Sequence, residues 1–175
     1  LPGDHGSTRV EGHGFAMLGL MKWAYLVALG VWLGTVVFLS FVAAPGVFAA
    51  FPESQRAEAG RILGKIFPAY YGIGYGCGVV LVVASTALWL AARQGSAVWG
   101  TSALVAAGML AAVLWAGVVI QPRVHELRPR IHLPEVTAEV KGEFDRLHRR
   151  AVQLNVVVLV AALALTGLTA TKLRP

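Results

Sequence analysis

Three histidines, His125, His132 and His148, fall in one basic region of the chain and are its best candidates for coordination chemistry, because imidazole ligates transition metals and haem. His125 follows one long apolar stretch and His148 precedes another, so a turn of the chain could pair them as metal or haem ligands. Against this, no HxxxH or HxxH pair occurs, and a haem inside a bilayer needs ligands at depth. An interfacial structural role therefore stands beside ligation. Asn155 lies seven residues after His148, on the same face of a helix and about two turns away. A side-chain amide at that depth needs a hydrogen-bond partner. It is either part of a polar lining at the mouth of a bundle or a bond between helices. Tyr70, Tyr71 and Tyr75 add hydroxyls in a stretch where Gly72, Gly74, Gly76 and Gly78 alternate. They read as an aromatic belt with packing glycines, or as part of the same lining.

Other chemistries lack their residues. There is no GxSxG, HExxH or GxxxxGK[ST] pattern. The single cysteine, Cys77, allows neither an intramolecular disulfide nor a CxxC site. No Asp, Glu, Lys, Arg or His stands in the middle of an apolar stretch, which argues against a proton-driven pump. The formal charge of +6 does not indicate nucleic acid, since the basic residues flank the apolar stretches, where they anchor helices and meet lipid phosphates.

The elements that must position these residues are apolar. Of the 175 residues 57% are hydrophobic and 14% charged, and the mean hydropathy is +0.66, the composition of an integral membrane protein. Crossing about 30 Å of hydrocarbon takes about 20 residues of helix. Four stretches free of Asp, Glu, Lys and Arg are long enough, and they predict an all-α, integral membrane four-helix bundle with spans at about 21–44, 68–92, 97–120 and 151–171. The uncharged run from Trp23 to Ala44 exceeds the apolar region of a cleaved secretory signal. Residues 1–17 are expected to be a polar tail, open to being in part an expression remnant, ahead of a single domain over 18–175. Pro45 and Pro122 are expected to end helices one and three. Glu53 to Lys65 reads as a short amphipathic helix on the membrane surface or a solvated connector. The Arg93–Ser96 link is short enough to make helices two and three antiparallel neighbours. From Glu135, Val136, Val140, Phe144, Leu147 and Ala151 form a stripe leading into helix four, so that helix is expected to protrude from the bilayer.

Orientation follows from Lys and Arg. The side holding the termini carries five, and the side holding the two long connections carries ten. By the positive-inside rule those connections are cytoplasmic and both termini lie outside, in the inner membrane if the source is bacterial.

Four stretches carry a resemblance: Ala44-Pro45-Gly46-Val47-Phe48, Gly64-Lys65-Ile66-Phe67-Pro68-Ala69-Tyr70-Tyr71, Gln121-Pro122-Arg123, and Leu147-His148 with Asn155. Together they resemble the family of small four-helix membrane proteins that includes bacterial domains of unknown function and the eukaryotic transmembrane protein 205, linked to cisplatin resistance. The resemblance covers about Leu18 to Leu173. It implies a multi-helix membrane protein concerned with export or tolerance of metal compounds or drugs. A shared site would map to Pro45, Phe48, Phe67, Tyr70, Tyr71, Pro122, Arg123, His148 and Asn155, all toward the cytoplasmic face. With one Cys and only Met109 well inside a span, the chain lacks the sulfur that soft-metal translocation favours.

Three functional expectations result. The first is a non-enzymatic multi-pass protein that binds or passes a small solute or metal compound, alone or as a homo-oligomer, with Tyr70, Tyr71, Tyr75, Arg123, His148 and Asn155 as candidate binding residues. The second is a membrane redox protein holding haem or quinone. The third is an accessory subunit of a larger membrane complex. The lipid bilayer is a partner in each.

Overall fold

The computed structural model describes residues 7–92, 97–133 and 135–171, with side chains from Ala16 onward except that of His132. Four helical stretches are long and apolar enough to cross a membrane, Ala16–Ala49, Glu53–Ala91, Ala97–Leu127 and Ala138–Ala170. They hold the first to fourth spans, with the charged residues 138–150 of the last preceding its apolar crossing. Hydrocarbon tolerates backbone only where its N–H and C=O groups are satisfied within the segment, which is why apolar length alone located them.

Burial repeats every three or four residues along each span, the period at which a helix presents one face to its neighbours. In the first span that face is Tyr25, Ala28, Leu29, Trp32, Val36 and Leu39, and in the fourth it is Val158, Ala162, Leu165 and Thr169. Successive spans pack against each other, and the first also packs against the fourth, closing a four-membered ring. Its axis is filled. Trp32, Val36, Leu81, Ala106, Met109 and Leu165 are each no more than 2% exposed and belong to one core cluster. Two glycines admit the largest of these side chains: a Cβ on Gly74 would come within 3.4 Å of Trp32 Nε1, and one on Gly78 within 2.8 Å of Leu110 and 3.3 Å of the Trp32 ring.

Several boundaries depart from expectation. Pro45 does not end the first span. The α1 helix (Ser7–Val37) passes into a π-helical turn (Phe38–Ala43) and on through α2 (Ala44–Ala49), with Pro45 in the opening turn of α2. The third span does the same, from α4 (Ala97–Leu114) through a π turn (Trp115–Ile120) to α5 (Gln121–Leu127), where Pro122 occupies the opening turn. A proline inside a helix lacks the N–H and crowds the carbonyl four residues back. The wider turn relieves this by lengthening the bonds to five residues: Ala44 N–H donates to Leu39 O, and Gln121 N–H to Ala116 O.

The segment from Glu53 to Lys65 is not a separate surface helix. After a 3₁₀ turn at Glu53–Gln55, α3 runs unbroken from Arg56 to Ala91 with Pro68 inside it. Burial of Ala59 and Leu63 on the same face as Tyr70 and Gly74 holds the two parts coaxial across the missing bond. The expected extension of helix four is present, as α6 spans Ala138–Ala170 with the Thr137 side chain accepting from Val140 N–H at its start. Helix already runs from Ser7, inside the stretch expected to be tail. The Arg93–Ser96 link lies outside the described residues.

Candidate functional site

At the end of the bundle carrying the two long connections, three spans are joined by a chain of side-chain hydrogen bonds. Tyr70 OH donates to Asn155 Oδ1, and Asn155 Nδ2 donates to Ser40 Oγ at 2.8 Å. The relay ties the second span to the fourth and the fourth to the first. Ser40 lies inside the first π turn, which sets its hydroxyl toward α6. Each bond satisfies a polar group that hydrocarbon would otherwise penalise.

An aromatic run flanks the relay on α3. Phe67 meets the rings of Tyr70 and Tyr71 with centroids 6.4 and 6.2 Å apart, Tyr70 lies edge-on to Tyr71 at 5.2 Å, and Tyr71 stacks on Tyr75 at 6.3 Å. Tyr70 and Tyr71 are buried and Tyr75 is partly exposed. The second π turn receives these rings: a Cβ on Gly117 would collide with Tyr75 Oη and would reach the Tyr71 ring at 2.9 Å. The two π turns thus serve matching ends, with Ser40 accepting from α6 in one and Gly117 clearing room for α3 in the other. About one helical turn deeper, Trp32 Nε1 is buried beside Gly74 without a partner among the described residues.

The remaining candidates stand elsewhere. Arg123 is exposed and engaged with carboxylates, Glu126 at 3.0 Å and Glu143 at 3.4 Å. Pro45, Phe48 and Pro122 are exposed, and Phe67 packs against the core. His125 is exposed, and His132 lies outside the described side chains. His148 is exposed and stacked on Phe144, with ring centroids 6.1 Å apart. Desolvation of its ring, then the nearby charge of Arg128, push its pKa below the ordinary 6.5, against a smaller opposing pull from Asp145. Among the described residues no three His, Cys, Asp or Glu side chains gather as metal ligands.

Three contributors went unmarked in the sequence reading: Ser40 as a relay partner, Gly117, and Arg128. For the first two a signal exists, since a small residue stands five positions before a proline in both spans, Ser40 before Pro45 and Gly117 before Pro122.

A family described as a domain of unknown function, DUF4149, matches residues 27–132. The match takes in Ser40, Tyr70, Tyr71, Tyr75, Gly117 and Arg128, and stops short of His148 and Asn155. Neither a curated protein nor a solved structure matches the chain.

Proposed function

The chain belongs to the DUF4149 family, and from that premise we propose that it is a non-enzymatic multi-pass membrane protein that binds a small solute at the basic, cytoplasmic end of its bundle. The Ser40–Asn155–Tyr70 relay carries this reading, because it sets hydroxyls and an amide from three spans beside the stacked faces of Tyr71 and Tyr75. Such a surface suits a flat, weakly polar compound, which would stack on the partly exposed Tyr75 and exchange hydrogen bonds with the amide. The unpartnered Trp32 N–H offers a donor to an acceptor group reaching further in.

Binding is favoured over passage through one copy, because the axis beyond Trp32 is filled by Leu81, Ala106, Met109 and Leu165. Any passage would use an interface between copies. The resemblance to the eukaryotic transmembrane protein linked to cisplatin resistance extends the candidate solutes to drugs and metal compounds. A soft metal ion alone is less favoured, since Met109 is enclosed in the core and Cys77 is the only thiol.

The test is ligand-induced thermal stabilisation of the purified protein, using a panel of planar aromatic compounds and platinum(II) ammine complexes. A compound that stabilises the wild type should bind about tenfold or more weakly to Asn155→Ala and Tyr71→Ala, each of which removes one side of the surface. Equal binding by both variants would remove the relay from the site.

An accessory-subunit reading is favoured by one observation. The fourth span is the least buried of the four, and Val152, Val156, Val157, Val160 and Leu163 leave its outer face open to lipid or to another helix.

A further inference from the structure

We propose that Arg128, laid across Gly60 and Gly64, anchors a binding site for a phosphate group at the basic end of the bundle. Arg128 follows α5, where the chain turns at Pro129, and its side chain reaches back over the second span. The two glycines stand four apart on α3 and form the trough it occupies. A Cβ on Gly60 would lie 3.9 Å from the Arg128 Cδ, and one on Gly64 would collide with Nη1. Nη1 donates to Gly60 O at 2.6 Å, which fixes the plane of the guanidinium.

The other donors of that guanidinium, at Nε and Nη2, have no partner among the described residues, and none of the described salt bridges includes Arg128. Neighbouring arginines differ: Arg61 is paired with Glu58, and Arg123 with Glu126 and Glu143. Arg128 is moreover half-buried, whereas Arg61 and Arg123 are exposed. A partly desolvated cation without a counter-charge is costly, and it favours an anion that supplies the missing charge and acceptors. Phosphate oxygens match the planar fork in geometry and charge. The Arg128 charge acts on the His148 ring, as does the carboxylate of Asp145, which makes no ion pair with Arg128 among the described residues.

The height of the site suits a phosphodiester of a phospholipid headgroup and equally a free phosphate or phosphorylated solute. The shared chemistry is the phosphate oxyanion. The inference stands apart from the Ser40–Asn155–Tyr70 surface and uses none of its residues.

The experiment uses the full chain purified in detergent, with two probes. Phosphatidylglycerol retention is read by native mass spectrometry, and stabilisation by inorganic phosphate is read against chloride at equal ionic strength. The wild type is expected to respond to at least one probe. Arg128→Gln should weaken that response about tenfold or more, as loss of charge-assisted hydrogen bonds implies. Gly64→Ala keeps the charge but displaces the guanidinium, and it should show the same loss, whereas Arg130→Gln, at an exposed position, should bind as the wild type does. A response to phosphatidylglycerol alone assigns a lipid, and a response to inorganic phosphate assigns a soluble ligand. The proposal fails if the wild type answers neither probe, or if Gly64→Ala binds like the wild type. Should Arg128→Gln not fold, Gly64→Ala carries the decision by itself.

Discussion

His148 shows how a single side chain reports on its surroundings. Its ring resists protonation in the folded state, because desolvation and then the Arg128 charge outweigh the favourable pull of Asp145. In the unfolded chain the same ring takes up a proton near the ordinary 6.5. The stability it contributes is therefore fully present above pH 6.5 and is lost as the pH falls through the lowered folded value. Between about pH 8 and about pH 5, unfolding in detergent should show the wild type losing stability relative to His148→Gln. Parallel profiles for the two proteins would show that the surroundings of the ring do not depress its protonation. Asn155 acts on its surroundings in the other direction. It is the only member of the relay with both donor and acceptor groups engaged, so its loss strands two hydroxyls where a change at either end strands one group.

At the scale of elements, the paired proline and π turns are the least ordinary feature. The π turn begins seven residues before the proline in both the first and third spans, at Phe38 for Pro45 and at Trp115 for Pro122. Each turn shifts the register of the span by one residue, and each places a small residue at the shift. Replacing Gly117 by Ala puts a methyl group against the buried Tyr71 ring, an overpacking that costs about 1–3 kcal/mol. The gain from replacing glycine in a helix returns only about 0.5–1 kcal/mol. Gly117→Ala is accordingly expected to lower the unfolding free energy in detergent. Gly72→Ala, where a Cβ meets nothing within 4 Å, should leave it unchanged or raise it. If the two variants behave alike, the close approach of Tyr71 to the turn is wrong.

This scale also shows what the sequence could reveal. The spans were legible, because uncharged length is a direct consequence of the solvent they cross. Asn155 was legible as a group needing partners, for the same reason, and Tyr70 only as one hydroxyl of an aromatic belt or lining. Their actual partners were not, since Ser40 was one of several hydroxyl residues at depth until the π turn aimed it. Pro45 and Pro122 were misread as stops because the penalty for proline was assigned to the helix as a whole, when one widened turn absorbs it. Arg128 was one of ten basic residues on its side of the bundle, and only the trough at Gly60 and Gly64 sets it apart.

For the whole molecule, the governing fact is that apolar surface faces outward as well as inward. Phe38, Phe41, Val83, Leu90, Leu104, Trp115 and Val118 are all exposed, as a bilayer solvent permits and water does not. Both long connections leave the same end of the ring, and they carry twice the Lys and Arg of the terminal side. In a Cys77→Ala background, single cysteines placed at Ser54 and at Glu139 should react together with a membrane-impermeant maleimide, from the cytoplasmic side, while one at Thr171 reacts from the other. Opposite accessibility of positions 54 and 139 would overturn the arrangement of the spans.

The seam between the first and second spans is a shallow apolar groove of about 440 Å³ on the outer surface, walled by residues that include Trp23, Val27, Ile73 and Cys77. Because the chain has no other thiol, a membrane-permeant nitroxide or fluorophore attached there would lie in hydrocarbon without any engineered residue. The natural protein thus comes with its own spectroscopic probe of the acyl chains along that seam.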